Sequence, residues 1–174
     1  MEKLKIKLVS YKTKNIPQKN ITEICKLKME HWKFSYPSQI SWFKKNIYKN
    51  DIHNCLFYRK KLIGYTCLRK RKMNLGDKKN NYLLFDTLII KKSMQKFKFG
   101  KVLMRFNNSI IKKNKLTSFL LTTKKTYGFY KKSNWLKCNY KFFFINHKVK
   151  KNKILMVFNQ KKIKRKKALI LLSA

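Results

Sequence analysis

A long apolar run followed directly by a lysine-rich loop is the feature that most constrains the fold of this chain. The run "NYLLFDTLII" (residues 81–90) is almost uninterrupted, as in a strand that is covered on both faces. After the loop, apolar residues recur at the spacing of one helix face from about Gly100 onward. The segment therefore predicts a buried strand, a turn and an amphipathic helix.

Weaker patterns on either side complete the arrangement. Lysine alternates with apolar side chains in "KLKIKLVSY" (residues 3–11), which predicts a half-buried strand. Asn20 and Glu23 are spaced like a capping box at the start of a first helix, and Pro37 suits the first turn of a second. Two strands are predicted around a turn at 59–61, a loop at 74–77, further strands at 116–123, 139–149 and 153–159, and a short helix at 127–135.

This order of elements, β-α-α-β-β-β-α-β-α-β-β, predicts the α/β (α+β) class. We expect one domain over residues 1–159, with a mixed, mostly antiparallel central sheet of about seven strands flanked by four helices. Residues 160–174 form a basic tail that ends in apolar residues, and we expect it to fray at the surface rather than to contact a nucleic acid or a membrane.

Neither a signal peptide nor an apolar run long enough to span a membrane is recognisable, so we expect a soluble, cytoplasmic protein. The four cysteines are far apart and form no C-x-x-C pair, which predicts buried free thiols rather than a metal site or disulfides. The three histidines also lack metal-ligand spacing, so no metal is expected.

The formal net charge is +40, from 46 Lys and Arg against six Asp and Glu. Such a charge favours anionic partners, and a nucleic acid is one of them. However, only five of the basic residues are Arg, and the lysines are spread along the whole chain. We therefore interpret most of the charge as compositional drift and a nucleic acid as the less favoured partner.

The loop before the helix that begins near Gly100 has the composition of an anion site. A helix N-terminus offers unpaired N–H groups and the positive end of a dipole, and Gly100 lets a ligand approach the backbone closely. Lys96, Lys98 and Lys101 add charge, and the chain contains no Asp or Glu after Asp86. The alternative is an ordinary strand-to-helix turn with solvated lysines.

At this point the sequence resembles the GCN5-related N-acetyltransferase superfamily. Its signature, Arg/Gln-x-x-Gly-x-Gly/Ala between a strand and a helix, is similar to Gln95–Gly100, with Lys98 in place of the first glycine. The segment "GFYKKSNW" (128–135) resembles a second signature, in which Asn134 replaces a glycine, and Gly64 matches a small residue of the third strand. The resemblance spans most of residues 3–159 and implies an acyl-CoA N-acyltransferase-like fold that binds acetyl-CoA.

The resemblance also implies roles for individual residues. The backbone of Leu88, Ile89 and Ile90 would polarise the thioester carbonyl and pair with pantetheine, while Thr123 stands where the superfamily often has an asparagine near the thiol. The loop would bind the pyrophosphate through Gln95, Lys96, Phe97, Lys98, Phe99, Gly100 and Lys101. If the loop requires a positive φ at Lys98, lysine costs roughly 1 kcal/mol or more there.

Two side chains are the candidate catalytic groups. Asp86 lies inside an apolar strand, so we expect burial to raise its pKa and suit it as a general base, the alternative being a structural carboxylate. Tyr130 resembles the tyrosine that protonates the departing thiolate, the alternative being a packing aromatic. Substrate contacts are expected from the first two helices and the next strand, namely His31, Trp32, Tyr36 and His53, the last also as an alternative base.

The sequence therefore predicts an acetyl-CoA-dependent N-acetyltransferase that acts by direct transfer in a ternary complex. Its acceptor would be a small-molecule primary amine, such as a sugar-nucleotide amine, because the basic surface suits an anionic molecule and repels polyamines. A protein N-terminus or lysine stays open as an alternative acceptor. Two alternatives stay open: a non-enzymatic RNA- or ribosome-binding protein, and a member of the same fold that has lost catalysis. The chain is expected to be a monomer or a homodimer.

Overall fold

The computed structural model describes residues 6–75, 78–139, 142–145, 152–160 and 170–173. The chain forms two compact units, the first from residues 1–69 and 87–107 and the second from residues 70–86 and 108–174. The third and fourth strands and the third α-helix contribute residues to both units. The single domain expected over residues 1–159 stays a prediction.

The first unit is built on antiparallel strands and three helices. Strands β1 and β2 pair along their whole length, β2 pairs with β3 through Leu68, and a two-residue turn at Arg59 and Lys60 joins β2 to β3 as predicted. The elements are β1 (Ile6–Lys12), α1 (Gln18–Met29), α2 (Tyr36–Asn46), β2 (Ile52–Tyr58), β3 (Lys61–Leu75), β4 (Lys78–Ile90) and α3 (Phe99–Lys113).

Two apolar clusters cover the end of β4 on its two faces in this unit. Ile89 packs in a cluster with Leu27 of α1 and Phe43 of α2, whereas Ile90 packs in a cluster with Leu103 of α3. The alternation confirms that this part of the strand is buried on both sides. Because Ile90 and Phe99 belong to the same cluster, both ends of the loop between them are anchored by apolar packing.

The helix starts show where the local sequence signals succeed and fail. Pro37 lies in the first turn of α2, and the Ser35 hydroxyl caps the helix by accepting from the backbone N–H of Ser38 at 3.4 Å. The capping box expected at Asn20 is wrong, because α1 begins at Gln18 and Pro17 is its N-cap, with no side-chain hydrogen bond.

The second unit contains both parallel and antiparallel pairs. β4 runs parallel to β5 at Leu83↔Ser118 and Leu84↔Phe119, and β5 and β6 both pair antiparallel with β8. β9 pairs antiparallel with the end of β3 and parallel with β7. The elements new to this unit are β5 (Ser118–Thr122), α4 (Lys124–Lys131), β6 (Leu136–Lys137), β7 (Phe142–Ile145), β8 (Ile154–Phe158) and β9 (Ile170–Ser173).

A mixed, mostly antiparallel sheet with four α-helices confirms the predicted fold class. The described residues contain nine strands rather than about seven, because the two-residue β6 and the tail strand β9 lack a recognisable pattern. The expectation of a frayed tail is wrong for residues 170–173, because residues 170–172 pair with residues 73–75 of β3 and Ser173 pairs with Ile145 of β7. The loop expected at 74–77 starts later, since β3 reaches Leu75; Gly76 and Asp77 lie outside the described residues.

Within the described part of the chain, no helix has the length and apolarity needed to cross a bilayer. The expectation for the cysteines is confirmed, because all four are free and buried.

Candidate functional site

The loop between β4 and α3 contains a strained lysine at the position of the missing glycine. A 3-10 helix (Lys92–Phe97) ends at Lys98, which has φ 59° and ψ 13°. This left-handed conformation normally favours glycine. Lys98 therefore has the positive φ considered in the sequence analysis, and its side chain makes that conformation energetically unfavourable. The Lys98 carbonyl then accepts from the N–H groups of Lys101 at 2.9 Å and Val102 at 3.4 Å, which starts α3.

The side chains of this loop divide into exposed and anchoring groups. Lys96, Lys98 and Lys101 are exposed, and Phe97 leaves 63% of its surface exposed. Phe99 is buried instead, in the cluster that contains Leu103, so it anchors the helix start. The first N–H groups of α3 therefore open a helix among three lysines, an arrangement that suits a phosphate-bearing anion.

The last peptide of β4 is held from both sides. The N–H of Lys91 donates to the Ile63 carbonyl at 2.8 Å, and because the peptide is trans, the Ile90 carbonyl points away from β3. By strand alternation, the backbone groups of Ile89 face β3, whereas those of Leu88 and Ile90 face the opposite edge. The expectation that Ile89 also presents its N–H to a ligand is therefore wrong.

The turn after α1 reaches this same peptide. The Nε2 atom of His31 donates to the Ile90 carbonyl at 2.9 Å, and the amide of Gln95 donates to it at 3.3 Å. Sequence reasoning assigned His31 to the acceptor and Gln95 to the pyrophosphate, whereas both side chains contact the protein backbone. Glu30, which the sequence reasoning missed, accepts from the N–H of Lys92 at 3.2 Å.

The other predicted substrate residues differ in their accessibility. Trp32 leaves 39% of its surface exposed, with the Lys28 ammonium 5.9 Å from its ring centroid. Tyr36 is half-buried, and its hydroxyl donates to Thr22 at 3.4 Å, which joins α2 to α1. Of these two residues, Trp32 keeps the exposure that an acceptor contact needs.

His53 is a packing residue. It is completely buried between the rings of Phe43 and Tyr65, and its two nitrogens lie 2.8 Å from the Tyr65 hydroxyl and 2.9 Å from the Thr13 hydroxyl. Burial lowers the pKa of His53 to about 4, although Asp51 opposes the shift. The expected substrate contact at His53 is therefore wrong, since solvent does not reach the ring.

The candidate catalytic groups belong to the second unit. Asp86 is exposed, so the burial expected from its apolar neighbours is wrong. Tyr130 is half-buried on α4 and packs edge-to-face on Phe85 at 6.0 Å between ring centroids. Desolvation raises the pKa of Tyr130 to about 12, which keeps the phenol protonated at neutral pH.

Both ends of α4 involve residues of the second signature. Thr123 is the N-cap residue, with its hydroxyl 3.3 Å from that of Thr126. After the helix, Asn134 adopts φ 65°, which confirms that asparagine takes the left-handed position of the missing glycine. The next residue, Trp135, is buried and donates its ring N–H to Asn108 at 3.0 Å, which fixes the end of α4.

Nucleophilic and metal chemistry find little support among the described residues. Cys55 is fully buried, and desolvation followed by the charge of Glu23 raises the pKa of its thiol to about 12. No group of three His, Cys, Asp or Glu side chains in the described ranges could hold a metal ion. A covalent intermediate on Cys55 is therefore disfavoured.

Two contacts near the site were not predicted from the sequence. The Lys28 ammonium lies 3.8 Å from the ring centroid of Trp42, although Lys28 is only 5% exposed. Glu30 and Lys92 are 62 residues apart, so no local pattern could have paired them. The one sequence feature that pointed to Glu30 is the scarcity of acidic residues, because a chain with only six of them makes each one a candidate for a specific contact.

Comparison with known structures identifies the fold. Escherichia coli ElaA matches with a TM-score of 0.64 at 11% identity, covering 87% of this chain and 98% of that chain. The PaiA N-acetyltransferase of Thermoplasma acidophilum in complex with coenzyme A matches with a TM-score of 0.56 at 15% identity, covering 87% and 98%. An aminoglycoside 6′-N-acetyltransferase complexed with coenzyme A matches with a TM-score of 0.63 at 11% identity, covering 89% and 99%.

No protein-family profile and no curated protein sequence matches this chain. At 11–15% identity the structural likeness shows the fold alone, and it confirms the acyl-CoA N-acyltransferase-like fold that the sequence resemblance implied.

Proposed function

We propose that this protein transfers an acetyl group from acetyl-CoA to a primary amine, directly and in a ternary complex. The observation that carries the proposal is the β4–loop–α3 segment, in which Lys98 adopts the left-handed conformation just before a helix start that contains Gly100. Two of the structures that share this fold contain coenzyme A. The residues present fit such a cofactor, because exposed Lys96, Lys98 and Lys101 complement its phosphates.

The backbone of β4 would orient the thioester. The Leu88 backbone groups and the Ile90 N–H, which strand alternation directs away from β3, would pair with pantetheine or polarise the carbonyl oxygen. The N–H groups at the start of α3 would bind the pyrophosphate. The side chain of Phe99 contributes by packing, since it is buried.

Two side chains would move the protons. Asp86 would accept a proton from the attacking amine, directly or through water, and its exposure leaves it accessible to solvent. As the C–S bond breaks, Tyr130 would donate its phenolic proton to the sulfur, and its pKa of about 12 keeps that proton in place beforehand. The nitrogen gains the acetyl group and loses one proton to Asp86, the sulfur gains one proton from Tyr130, and solvent would then return the proton from Asp86 to Tyr130.

The acceptor is proposed to be a small amine that also carries negative charge, such as a sugar-nucleotide amine. The net charge of +40 attracts anions and disfavours polyamines. Trp32, exposed in the turn after α1, is the aromatic side chain proposed to contact it.

Calorimetric titration of acetyl-CoA at two salt concentrations tests the proposal. Wild type should bind one equivalent, whereas Gly100→Asp should weaken binding by roughly a hundredfold, because a carboxylate then competes for the N–H groups at the helix start. Gly128→Asp is the matched control, since no atom lies within 4 Å of a Cβ at that exposed glycine.

A polyanion titrated in parallel separates the alternative function. If acetyl-CoA binds no more tightly than the polyanion and with the same salt dependence, the enzyme proposal fails and nucleic-acid binding replaces it. If binding is specific, release of free thiol in the presence of candidate amines identifies the acceptor.

A further inference from the structure

One carbonyl, that of Ile90, receives two side chains that sequence reasoning had assigned to ligands. The His31 imidazole donates to it at 2.9 Å and the Gln95 amide at 3.3 Å. A carbonyl oxygen has two lone pairs, so both are engaged. Because Lys91 N–H is bound to Ile63 on the other side of the same peptide, this peptide unit is fixed from both directions.

The end of α1 holds a second, consecutive peptide. The Glu30 carboxylate accepts from Lys92 N–H at 3.2 Å, one residue after the peptide that His31 holds. Glu30 and His31 are adjacent in sequence, so the turn after α1 forms hydrogen bonds with two consecutive peptides at the end of β4. We call these contacts of Glu30, His31 and Gln95 the Ile90 junction.

We propose that His31 is a positioning residue for the acetyl-CoA loop, acting through the Ile90 carbonyl, and that Gln95 is its partner in the junction rather than a phosphate ligand. The inference rests on the proposed function. The turn held by His31 continues into Trp32 and Phe34, which are 39% and 63% exposed. The junction therefore links an exposed aromatic surface to the cofactor loop, and occupation of either one favours the ordered form of the other.

The chemistry of the contact dictates the variants. A carbonyl only accepts, so His31 must carry a hydrogen on Nε2, which both the Nε2–H tautomer and the imidazolium provide. His31→Phe keeps a ring of similar size without a donor. His31→Gln places an amide N–H₂ at a similar reach and should restore the hydrogen bond.

Affinity and kinetics test the junction on the full chain. His31→Phe should raise the Kd for acetyl-CoA about fivefold, the loss of one neutral hydrogen bond, and His31→Gln should stay within about twofold of wild type. The KM values for acetyl-CoA and for the amine should both rise in the Phe variant while kcat holds, because His31 touches no reacting atom. Amide hydrogen exchange over residues 91–99 should accelerate in the Phe variant only.

Each outcome is decisive. If wild type binds acetyl-CoA and His31→Phe binds equally well, the junction has no cofactor role and the inference is overturned while the proposed function stands. If wild type does not bind acetyl-CoA, the proposed function fails, and this inference with it. Should His31→Phe not fold, Gln95→Leu removes the other donor to the same carbonyl and must raise the Kd by a similar factor.

Discussion

The β2–β3 hairpin and the loop of residues 91–98 both contain basic residues with a left-handed backbone conformation, but the two regions use it differently. Arg59 and Lys60 have φ of 46° and 65° at the hairpin turn, and Lys98 has φ 59° in the loop. Two successive positive φ values give a turn whose twist matches the paired strands, so the hairpin strain only closes the pair. The loop strain aims the first N–H groups of a helix. A left-handed residue therefore indicates a binding site only where it directs free backbone N–H groups towards a ligand.

The largest expected effect is the loss of stability at low pH, which arises from His53 on strand β2 of the hairpin. The folded pKa of His53 on β2 is about 4, against an ordinary value of 6.5, because the ring is desolvated. Unfolded chains bind the proton more tightly, so the stabilisation is complete above pH 6.5 and is lost as pH falls through 4. We expect a loss of about 3 kcal/mol in the free energy of unfolding, measured by urea denaturation across this range.

His53→Phe is the control for this pH dependence. Phenylalanine keeps the stacking between Phe43 and Tyr65 but cannot titrate, so stability should vary less with pH even if the variant is weaker overall. An equally steep pH dependence in the variant would assign the effect to other groups.

Much of the fold was predictable because it depends on local patterns. Strand β4 and helix α3 follow from apolar periodicity, and the hairpin turn follows from the basic stretch between two apolar runs. Two-residue β6 was not predictable, since so short a strand exists only through its pairing with β8. β9 likewise depends on partners far along the chain.

Charge reversal at Lys98 and at Lys60 should affect acetyl-CoA binding differently. Lys98→Glu places a carboxylate beside the helix start and should weaken acetyl-CoA binding about tenfold at low salt. Lys60→Glu makes the same charge change at an exposed, left-handed position in the hairpin and should leave the Kd unchanged. Equal losses in both variants would mean that net charge alone, and not the loop, attracts the ligand.

The site was predictable only where a short motif encodes it. The family resemblance placed Gln95–Gly100 between strand and helix, and the positive φ that it left as a condition at Lys98 is present in the structure, as it is at Asn134. Packing decided the rest: Gln95 turns back to the Ile90 carbonyl, and His53 is buried against Phe43 of α2 and Tyr65 of β3. Burial of Asp86 was wrongly inferred from its apolar neighbours, because each position of a strand has its own environment.

Glycine at each left-handed lysine should give the smallest and most discriminating effect. Lys60→Gly and Lys98→Gly each relieve the same conformational cost and should each stabilise the protein by about 1 kcal/mol, measured by urea denaturation. Lys98→Gly should nevertheless bind acetyl-CoA about threefold more weakly, since it removes a charge beside the phosphates, whereas Lys60→Gly should bind as wild type does. Tighter binding by Lys98→Gly would show that loop geometry outweighs the lysine charge. The lysine would then be a defect in the site rather than a substitute for the glycine.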